Sequence, residues 1–318
     1  MEHLNEIAAA FRQASIPCAA REPLSRHTSF QIGGPAALFC EPQNKRQLAR
    51  AIAVCRQAGV RYYLLGKGTN ILFADEGFDG VVIHIGEVLG NIECNGLSVT
   101  AQAGAALSKV CIAAANEGLS GLEFAYGIPG CVGGAVYMNA GAYGGEIKDV
   151  LACATFLDET GAERTLQAGE LQLGYRTSVF EREPWCILSA TFTLREDDTG
   201  PIRERMADYA RRRMEKQPLD MPSAGSTFKR PAGAFAGALI EQCGLKGARV
   251  GCAMTGSFCT FSQAFRAFEA LRAAGAELFP IMSENAYALD TRFGSAAAMR
   301  SRLREICGRE IWHTLPDV

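Results

Sequence analysis

The sequence contains no apolar run approaching the roughly 20 residues that a helix needs to cross a bilayer. Its beginning also lacks the basic segment and apolar core of a secretory leader. Acidic and basic residues nearly balance, with 34 Asp and Glu against 32 Lys and Arg and a formal net charge of −2. Because nucleic-acid scaffolds and polybasic membrane binders need a basic excess, the composition argues against both classes.

Patterns of metal ligands and disulfides are missing as well. The 12 cysteines are scattered singly without a C-x-x-C pair, and the four histidines add no ligand spacing, so a zinc site is not expected. A disulfide framework is typical of much shorter secreted chains. We interpret the cysteines as reduced core residues of a cytoplasmic protein.

The 318 residues carry strand and helix patterns that alternate without a regular βαβ repeat, which predicts an α+β protein of more than one domain. Asn44 is suited to cap a helix that runs to Gln57 and is ended by Gly59. Asn95-Gly96 between two short apolar runs is a strong hairpin signal. Strands are predicted at 37–40, 61–65, 81–85, 92–94, 97–101, 152–157, 164–166 and 186–194, and further helices at the amphipathic N-terminus, 108–117 and 201–216.

Two glycine-rich segments are the most informative features of the chain. The segment 127–145 places many glycines in an apolar setting, with Pro129 fixing one turn, which indicates a backbone that approaches another group closely. The shorter segment 66–70 follows a predicted strand and offers Thr69 and Asn70 as neutral donors. Exposed amides in such loops suit a pyrophosphate, although a glycine-packed strand crossing without a ligand has the same pattern. The shorter loop matches neither a Rossmann nor a Walker A motif.

The longer segment occurs, in order, with four others over about residues 1–245, one of which contains the shorter loop: His27-Thr-Ser-Phe-Gln-Ile-Gly-Gly-Pro35, Leu65-Gly-Lys-Gly-Thr-Asn70, Gly174-Tyr-Arg-Thr-Ser-Val-Phe180 and Pro222-Ser-Ala-Gly-Ser-Thr-Phe-Lys229. Together they resemble the UDP-N-acetylenolpyruvoylglucosamine reductase (MurB, UDP-N-acetylmuramate dehydrogenase) family. The resemblance implies an α+β chain with a two-part FAD-binding fold of the vanillyl-alcohol-oxidase (PCMH) type. It also implies bound FAD, NADPH as co-substrate and a UDP-sugar substrate, with no nucleic acid, membrane or inferable protein partner.

The implied reaction is the NADPH-driven reduction of UDP-N-acetylglucosamine enolpyruvate to UDP-N-acetylmuramate, a step in making peptidoglycan precursors. In such a reaction the cofactor carries the hydride, so the protein supplies position, electrostatics and a proton. The residues expected to hold FAD all lie in the two glycine segments and are Gly66, Lys67, Gly68, Thr69, Asn70, Gly127, Ile128, Pro129, Gly130, Gly133, Gly134, Ala135, Asn139 and Gly141.

Ser226 matches the family's proton donor. A serine is a weak acid unless neighbours stabilise its alkoxide, and a turn-capping serine is the alternative interpretation. Lys229 is suited to neutralise the UDP pyrophosphate, although a solvated lysine has the same sequence pattern.

Arg176 matches the arginine that faces the substrate carboxylate and the developing charge, a role that suits a guanidinium fork. Its alternative is a surface ion pair with Glu170 or Glu181. Tyr175 is assigned to the substrate site, with core packing as the alternative.

The resemblance stops near residue 245, where the chain departs from the family pattern. Residues 248–261 and 278–294 read as a strand, a Gly-Ser turn, a helix over 262–274, a second strand and a second helix, the start of a doubly wound unit. This part resembles the beginning of the dipicolinate synthase B-subunit flavoprotein. A non-enzymatic nucleotide binder built on Thr255-Gly256-Ser257 is a further hypothesis. A sheet of only two strands is expected to pack poorly by itself.

The family's C-terminal catalytic glutamate has no secure counterpart, since Glu310 and Asp317 match it only superficially. A flavin-binding but catalytically impaired chimera is therefore the alternative function. The predicted domains are FAD-binding subdomain 1 at 1–75, FAD-binding subdomain 2 at 76–198, the start of a truncated substrate-binding domain at 199–246, and a βαβα Rossmann-like fragment at 247–318.

Overall fold

The structure, a computed structural model, describes residues 2–217, 219, 221–225, 231, 233, 235–242, 250–254, 261–273, 276–282, 284–288, 290–291 and 294–311. The chain divides into two compact units, residues 1–225 and residues 226–318. Within the described residues, no helix combines the length and apolar character that a membrane span requires.

The first unit begins with a four-stranded mixed sheet in the order β1-β2-β4-β3. Its elements are α1 (Glu2–Gln13), β1 (Cys18–Pro23), β2 (Pro35–Cys40), α2 (Lys45–Gln57), β3 (Tyr62–Leu65) and β4 (Phe78–His84). The two helices bury apolar side chains such as Phe11 and Ile52 against Leu38 and Ile83 of the sheet. As predicted, Asn44 caps α2 by accepting the Gln47 N–H at 2.9 Å.

A five-stranded antiparallel sheet follows, in the order β11-β10-β12-β6-β5. The Asn95-Gly96 turn joins its first two strands, with Gly96 at φ +56° as the hairpin requires. The elements of this part are β5 (Ile92–Asn95), β6 (Ser98–Gln102), α3 (Leu107–Asn116), β7 (Leu119–Ser120), α4 (Val132–Tyr137), β8 (Gly141–Ala142), β9 (Gly145–Glu146), β10 (Leu151–Leu157), β11 (Glu163–Gln167), β12 (Cys186–Thr193), β13 (Arg195–Glu196) and α5 (Thr199–Lys216).

The helices α3, α4 and α5 share one core with this second sheet. Phe156 and Phe192 of the sheet meet Leu107 of α3, Val136 of α4 and Ile202 of α5 in a single cluster of buried side chains. Because all three helices bury an apolar face against one sheet, the loops between them are fixed relative to one another.

Arg56 of α2 ties the two sheets together. Its guanidinium donates to the carbonyl oxygens of Asp158 (2.9 Å), Glu159 (2.8 Å) and Pro184 (2.6 Å), and its Nε donates to the Tyr62 hydroxyl at 3.1 Å. Leu157 and Leu188 of the second sheet also belong to the core of the first. These contacts therefore fix the two sheets relative to each other.

The glycine-rich segment 127–145 contains a helix that the sequence did not predict. Glycine disfavours helices, yet α4 forms here because Val132, Ala135 and Val136 are buried. The tertiary environment thus overrides local preference, and the tight β8–β9 hairpin follows the helix.

The second unit contains α6 (Ala236–Gln242), β14 (Val250–Met254), α7 (Phe261–Ala273), β15 (Leu278–Met282), α8 (Glu284–Ala288) and α9 (Ala296–Cys307). β14 and β15 pair in parallel around α7, in agreement with the predicted strand-helix-strand-helix order. Its described residues form a small core around Phe261, Leu278 and Leu303, and the expectation of poor packing stays a prediction. The likeness to dipicolinate synthase stays a prediction.

Candidate active site

The two glycine segments lie side by side in the first unit. The Thr69 hydroxyl donates to the Pro129 carbonyl oxygen at 3.0 Å, and a Cβ atom on Gly66 would come within 2.5 Å of Cys131 Sγ. Residues 60 or more positions apart therefore form one glycine-lined surface.

Gly68 shows why this surface needs glycine. Its backbone has φ +60°, and a Cβ atom would lie 2.1 Å from the His27 carbonyl oxygen. The Ser29 N–H donates to the Gly68 carbonyl at 3.0 Å and holds the loop from below. A side chain at Gly68 would push these two segments apart.

The shorter loop has amide donors to offer. The backbone N–H groups of 67–70 have no acceptor among the described residues. Consecutive free amides form a concavity that binds anions, so the loop fits the pyrophosphate of FAD. The Lys67 ammonium instead pairs with Glu87 at 3.2 Å, and hydrogen bonds from Lys109 and then Lys67 lower the pKa of the Glu87 carboxyl.

The longer segment divides its predicted residues between surface and core. Gly134 is exposed, whereas Ala135 is buried and Gly133 lies against Ala103. A Cβ atom on Gly141 would meet Gly145 and Glu146 within the hairpin. The remaining positions, Gly127, Ile128 and Gly130, lie on the loop that precedes α4.

The side chain of Asn139 faces protein groups. It is 2% exposed, its Nδ2 donates to Glu146 Oε2 and to the Gly174 carbonyl, both at 2.9 Å, and its Oδ1 accepts the Lys148 N–H at 2.9 Å. In its described contacts, this buried amide therefore connects two loops by hydrogen bonds.

Tyr175 and Arg176 form the tip of a tight turn. The Gly174 N–H donates to the Thr177 carbonyl at 3.0 Å, and Arg176 has φ +58°. Tyr175 is 45% exposed, which argues against core packing, and its ring centroid is 5.9 Å from Arg176 Cζ.

Neither ion pair considered for Arg176 forms. Glu181 accepts the Thr177 hydroxyl at 2.6 Å, and Glu170 accepts the Gln167 N–H at 2.8 Å. Within the described part of the chain, no carboxylate lies within salt-bridging distance of Arg176. A half-buried guanidinium of this kind is available for a carboxylate ligand.

The other predicted chemical groups are only partly described. Ser226, Lys229, Asp317 and residues 255–257 lie outside the described residues. The preceding Gly225 is described, and its ideal Cβ position is 3.6 Å from the Thr69 carbonyl oxygen. Glu310 is exposed and pairs with Arg304 at 2.9 Å.

Two tyrosines were missed by the sequence reasoning. Tyr63 of β3 and Tyr137 of α4 are each 39% exposed. Burial, and then the neighbouring Tyr137, raise the pKa of the Tyr63 hydroxyl. The sequence signal that could have identified them is their position: Tyr63 lies shortly before the shorter loop, and Tyr137 lies within the longer segment.

The buried carboxylate of Glu123 was also missed. It accepts hydrogen bonds from Arg205 of α5 (2.7 Å), the Ser120 hydroxyl (2.8 Å) and the Gly121 N–H (2.7 Å). Burial raises the pKa of this carboxyl, but the hydrogen bonds, first from Arg205, outweigh burial and leave it lowered. Glu123 thereby fixes α5 beside the loop that begins at Gly127.

Comparisons with known proteins agree with this geometry. Residues 36–167 match the family model of an FAD binding domain, and residues 217–257 match that of the UDP-N-acetylenolpyruvoylglucosamine reductase C-terminal domain. UDP-N-acetylenolpyruvoylglucosamine reductase of Clostridium botulinum (strain Okra / Type B1) is 48% identical over 230 residues, which are 72% of this chain and 75% of that protein. The enzyme of the same name from Syntrophomonas wolfei is 47% identical over 230 residues, which are 72% of this chain and 77% of that protein.

A solved structure agrees as well. The crystal structure of UDP-N-acetylenolpyruvylglucosamine reductase (MurB) from Thermus caldophilus matches with a TM-score of 0.62 and 35% identity, covering 74% of this chain and 82% of that chain. With the glycine-lined surface and the exposed arginine turn already in place, the sequence and structural matches show that this chain belongs to the UDP-N-acetylenolpyruvoylglucosamine reductase family.

Proposed function

We propose that the protein is the FAD-dependent enzyme that uses NADPH to reduce UDP-N-acetylglucosamine enolpyruvate to UDP-N-acetylmuramate. The observation that carries the proposal is the junction of the two glycine loops, together with an arginine turn whose guanidinium has no carboxylate partner among the described residues, in a chain that shares 48% identity with enzymes of this name. The named relatives favour this reductase over an impaired flavoprotein.

FAD, when bound, would supply the hydride chemistry that links NADPH oxidation to reduction of the enolpyruvyl double bond. The protein's part is to hold and orient. The amides of 67–70 bind the pyrophosphate, and the close contact of Gly66 with Cys131 keeps the two loops in register. The glycines allow the cofactor to approach the backbone directly.

Arg176 binds the substrate carboxylate and stabilises the negative charge that grows on it as the double bond is reduced. The guanidinium forms two parallel hydrogen bonds to a carboxylate, and it needs no rearrangement because it has no other anionic partner among the described residues. Tyr175, beside it on the same exposed turn, contacts the sugar-bearing part of the substrate.

Ser226 donates the proton that completes the reduction, and Lys229 neutralises the UDP pyrophosphate. The support for both is their place in the motif Ser223-Ala-Gly-Ser-Thr-Phe-Lys229, which the C-terminal family model covers. We also place the enzyme in the cytoplasm, where a reducing environment keeps its described cysteines as thiols.

The visible absorbance of the purified protein tests the proposal. Bound FAD gives a yellow protein, NADPH bleaches it, and the enolpyruvyl sugar restores the oxidised spectrum. A folded protein without flavin absorbance overturns FAD binding. Stopped-flow traces with fast bleaching by NADPH but no recovery on adding the sugar would instead establish the impaired flavoprotein.

A further inference from the structure

We infer that Asn139 is a positioning residue for Arg176, linking the substrate-facing turn to the helix that follows the flavin loop. The inference rests on the proposed function and extends it to a residue that contacts neither ligand. It assigns Asn139 a different role from the cofactor contact that the sequence suggested.

Both ends of the arginine turn are attached to one short segment, 137–139. On one side, Asn139 Nδ2 donates to the Gly174 carbonyl at 2.9 Å. On the other side, the Ser178 hydroxyl, whose residue is fully buried, donates to the Tyr137 carbonyl at 2.7 Å. The turn therefore cannot shift without breaking a bond to the end of α4.

The backbone of Asn139 is built for this task. The residue ends α4 in the left-handed region at φ +40°, while the Ala140 N–H returns to the Ala135 carbonyl at 2.8 Å. Asparagine is one of the few residues with a side chain that accept this conformation readily. The conformation directs the side chain away from α4 and towards Gly174.

The amide also joins the β8–β9 hairpin to the same point. Its Nδ2 donates to Glu146 Oε2 at 2.9 Å, and its Oδ1 accepts the Lys148 N–H at 2.9 Å. An amide is the side chain that can donate to an oxygen on two neighbours and accept from a third group at once. Both N–H donors of the Asn139 side chain, and one of the two acceptor positions of its Oδ1, are thus used to fix loops.

For the reaction, the important quantity is the distance between Arg176 and the flavin. α4 directly follows the glycine loop that holds the flavin, so a bond from its end to the arginine turn fixes the arginine relative to the flavin. A misplacement of about 1 Å in such an arrangement lowers a rate about 100-fold. Asn139 should therefore matter for the substrate half-reaction and not for the reduction of the flavin by NADPH.

Asn139→Gly is the decisive variant, because glycine keeps the left-handed backbone and removes only the amide. We expect this variant to bind FAD and to be bleached by NADPH at the wild-type rate. Reoxidation by the enolpyruvyl sugar should slow about 100-fold. The matched control is Asn44→Gly, which removes an asparagine that only caps α2 and should leave both half-reactions unchanged.

A double-mutant cycle separates positioning from general loosening. In an Arg176→Ala background, adding Asn139→Gly should slow reoxidation little further, because the group that it positions is gone. Slowing by the same factor in both backgrounds, or normal reoxidation by Asn139→Gly, would overturn the inference. If wild-type protein itself is not reoxidised by the sugar, the proposed function fails instead.

Asn139→Asp gives a second readout if the glycine variant does not fold. The introduced carboxylate faces Glu146 Oε2 and the Gly174 carbonyl, which are both hydrogen-bond acceptors. It can donate a hydrogen bond to neither of them until it is protonated. Reoxidation by this variant should recover as the pH falls, since a protonated carboxyl donates a hydrogen bond again. A pH profile with the wild-type shape would contradict the assigned contact.

Discussion

At the scale of single residues, Gly68 and Gly59 have nearly the same left-handed backbone but different surroundings. Their φ angles are +60° and +62°, yet a Cβ atom on Gly68 would meet the His27 carbonyl at 2.1 Å and one on Gly59 would meet nothing within 4 Å. Gly59→Ala should therefore lose only the conformational term, about 1–2 kcal/mol. Gly68→Ala should lose about 1–3 kcal/mol more through overpacking, and it should release FAD.

Urea unfolding of both variants, with flavin content measured in parallel, checks this prediction. Equal losses of stability in the two variants would show that the close approach at Gly68 is relieved by small shifts of the loop. Retention of flavin by Gly68→Ala would contradict the place of that loop in the cofactor site.

The serine assigned as proton donor gives a second prediction at this scale. Ser226→Ala should slow flavin reoxidation by the enolpyruvyl sugar about 100- to 10,000-fold, because a general acid contributes that much, and should leave bleaching by NADPH unchanged. Stopped-flow absorbance measures the two steps separately. Ser223→Ala is the control, since among the described residues the Ser223 hydroxyl accepts just the Gly225 N–H. Equal slowing of both steps by Ser226→Ala would contradict the role.

Only part of the residue-level site could be predicted from the sequence. Thr69 and Arg176 belong to contiguous motifs, so local pattern was enough to single them out. Glu123 and Tyr63 owe their significance to Arg205 and Tyr137, partners 82 and 74 positions away, and no local pattern reveals such a contact. Asn139 was singled out, but its partners at Gly174 and Glu146 depend on how the loops fold together.

At the scale of elements, the attachment of α5 depends on the ionised Glu123. Its lowered pKa means that folding favours the carboxylate. The resulting stabilisation is fully present above the ordinary pKa of 4.5 and is lost as the pH falls through the lower folded-state value. Glu123→Gln should therefore destabilise the protein by about 1–3 kcal/mol at pH 7 and have a smaller effect under acid conditions.

Urea midpoints at pH 7 and in the acid range, for wild type and Glu123→Gln, test this dependence. The control is Glu6→Gln on α1. The Glu6 carboxylate is exposed, and its contact with His3 is long, at 3.8 Å. A constant difference between wild type and Glu123→Gln across pH would show that the ionised carboxylate does not hold α5.

Elements with strong local signals were predicted well. The Asn44 cap, the Asn95-Gly96 turn and the helix α5 formed where the pattern placed them, within two residues. The helix α4 was not predicted, because Gly133 and Gly134 oppose a helix locally. Its stability comes from burying Val132 and Val136 against the second sheet, which is information that only the folded chain contains.

At the scale of the whole molecule, each compact unit has its own core, so we expect two unfolding transitions. Both loops that we propose to hold FAD lie in residues 1–225. Free FAD at 100 times its dissociation constant should therefore stabilise the transition of that unit by about 2.7 kcal/mol. Calorimetry with and without FAD measures the shift. An equal shift of both transitions, or a single transition, would contradict independent unfolding.

The contacts of Arg56 have a consequence for how the sequence can change. The guanidinium reaches carbonyl oxygens of Asp158, Glu159 and Pro184, and every amino acid carries that group. The side chains at those three positions are therefore free to vary as far as this bond is concerned, whereas the arginine is not. Among relatives, we therefore expect the arginine at position 56 to be invariant, whereas the residues at positions 158, 159 and 184 should vary.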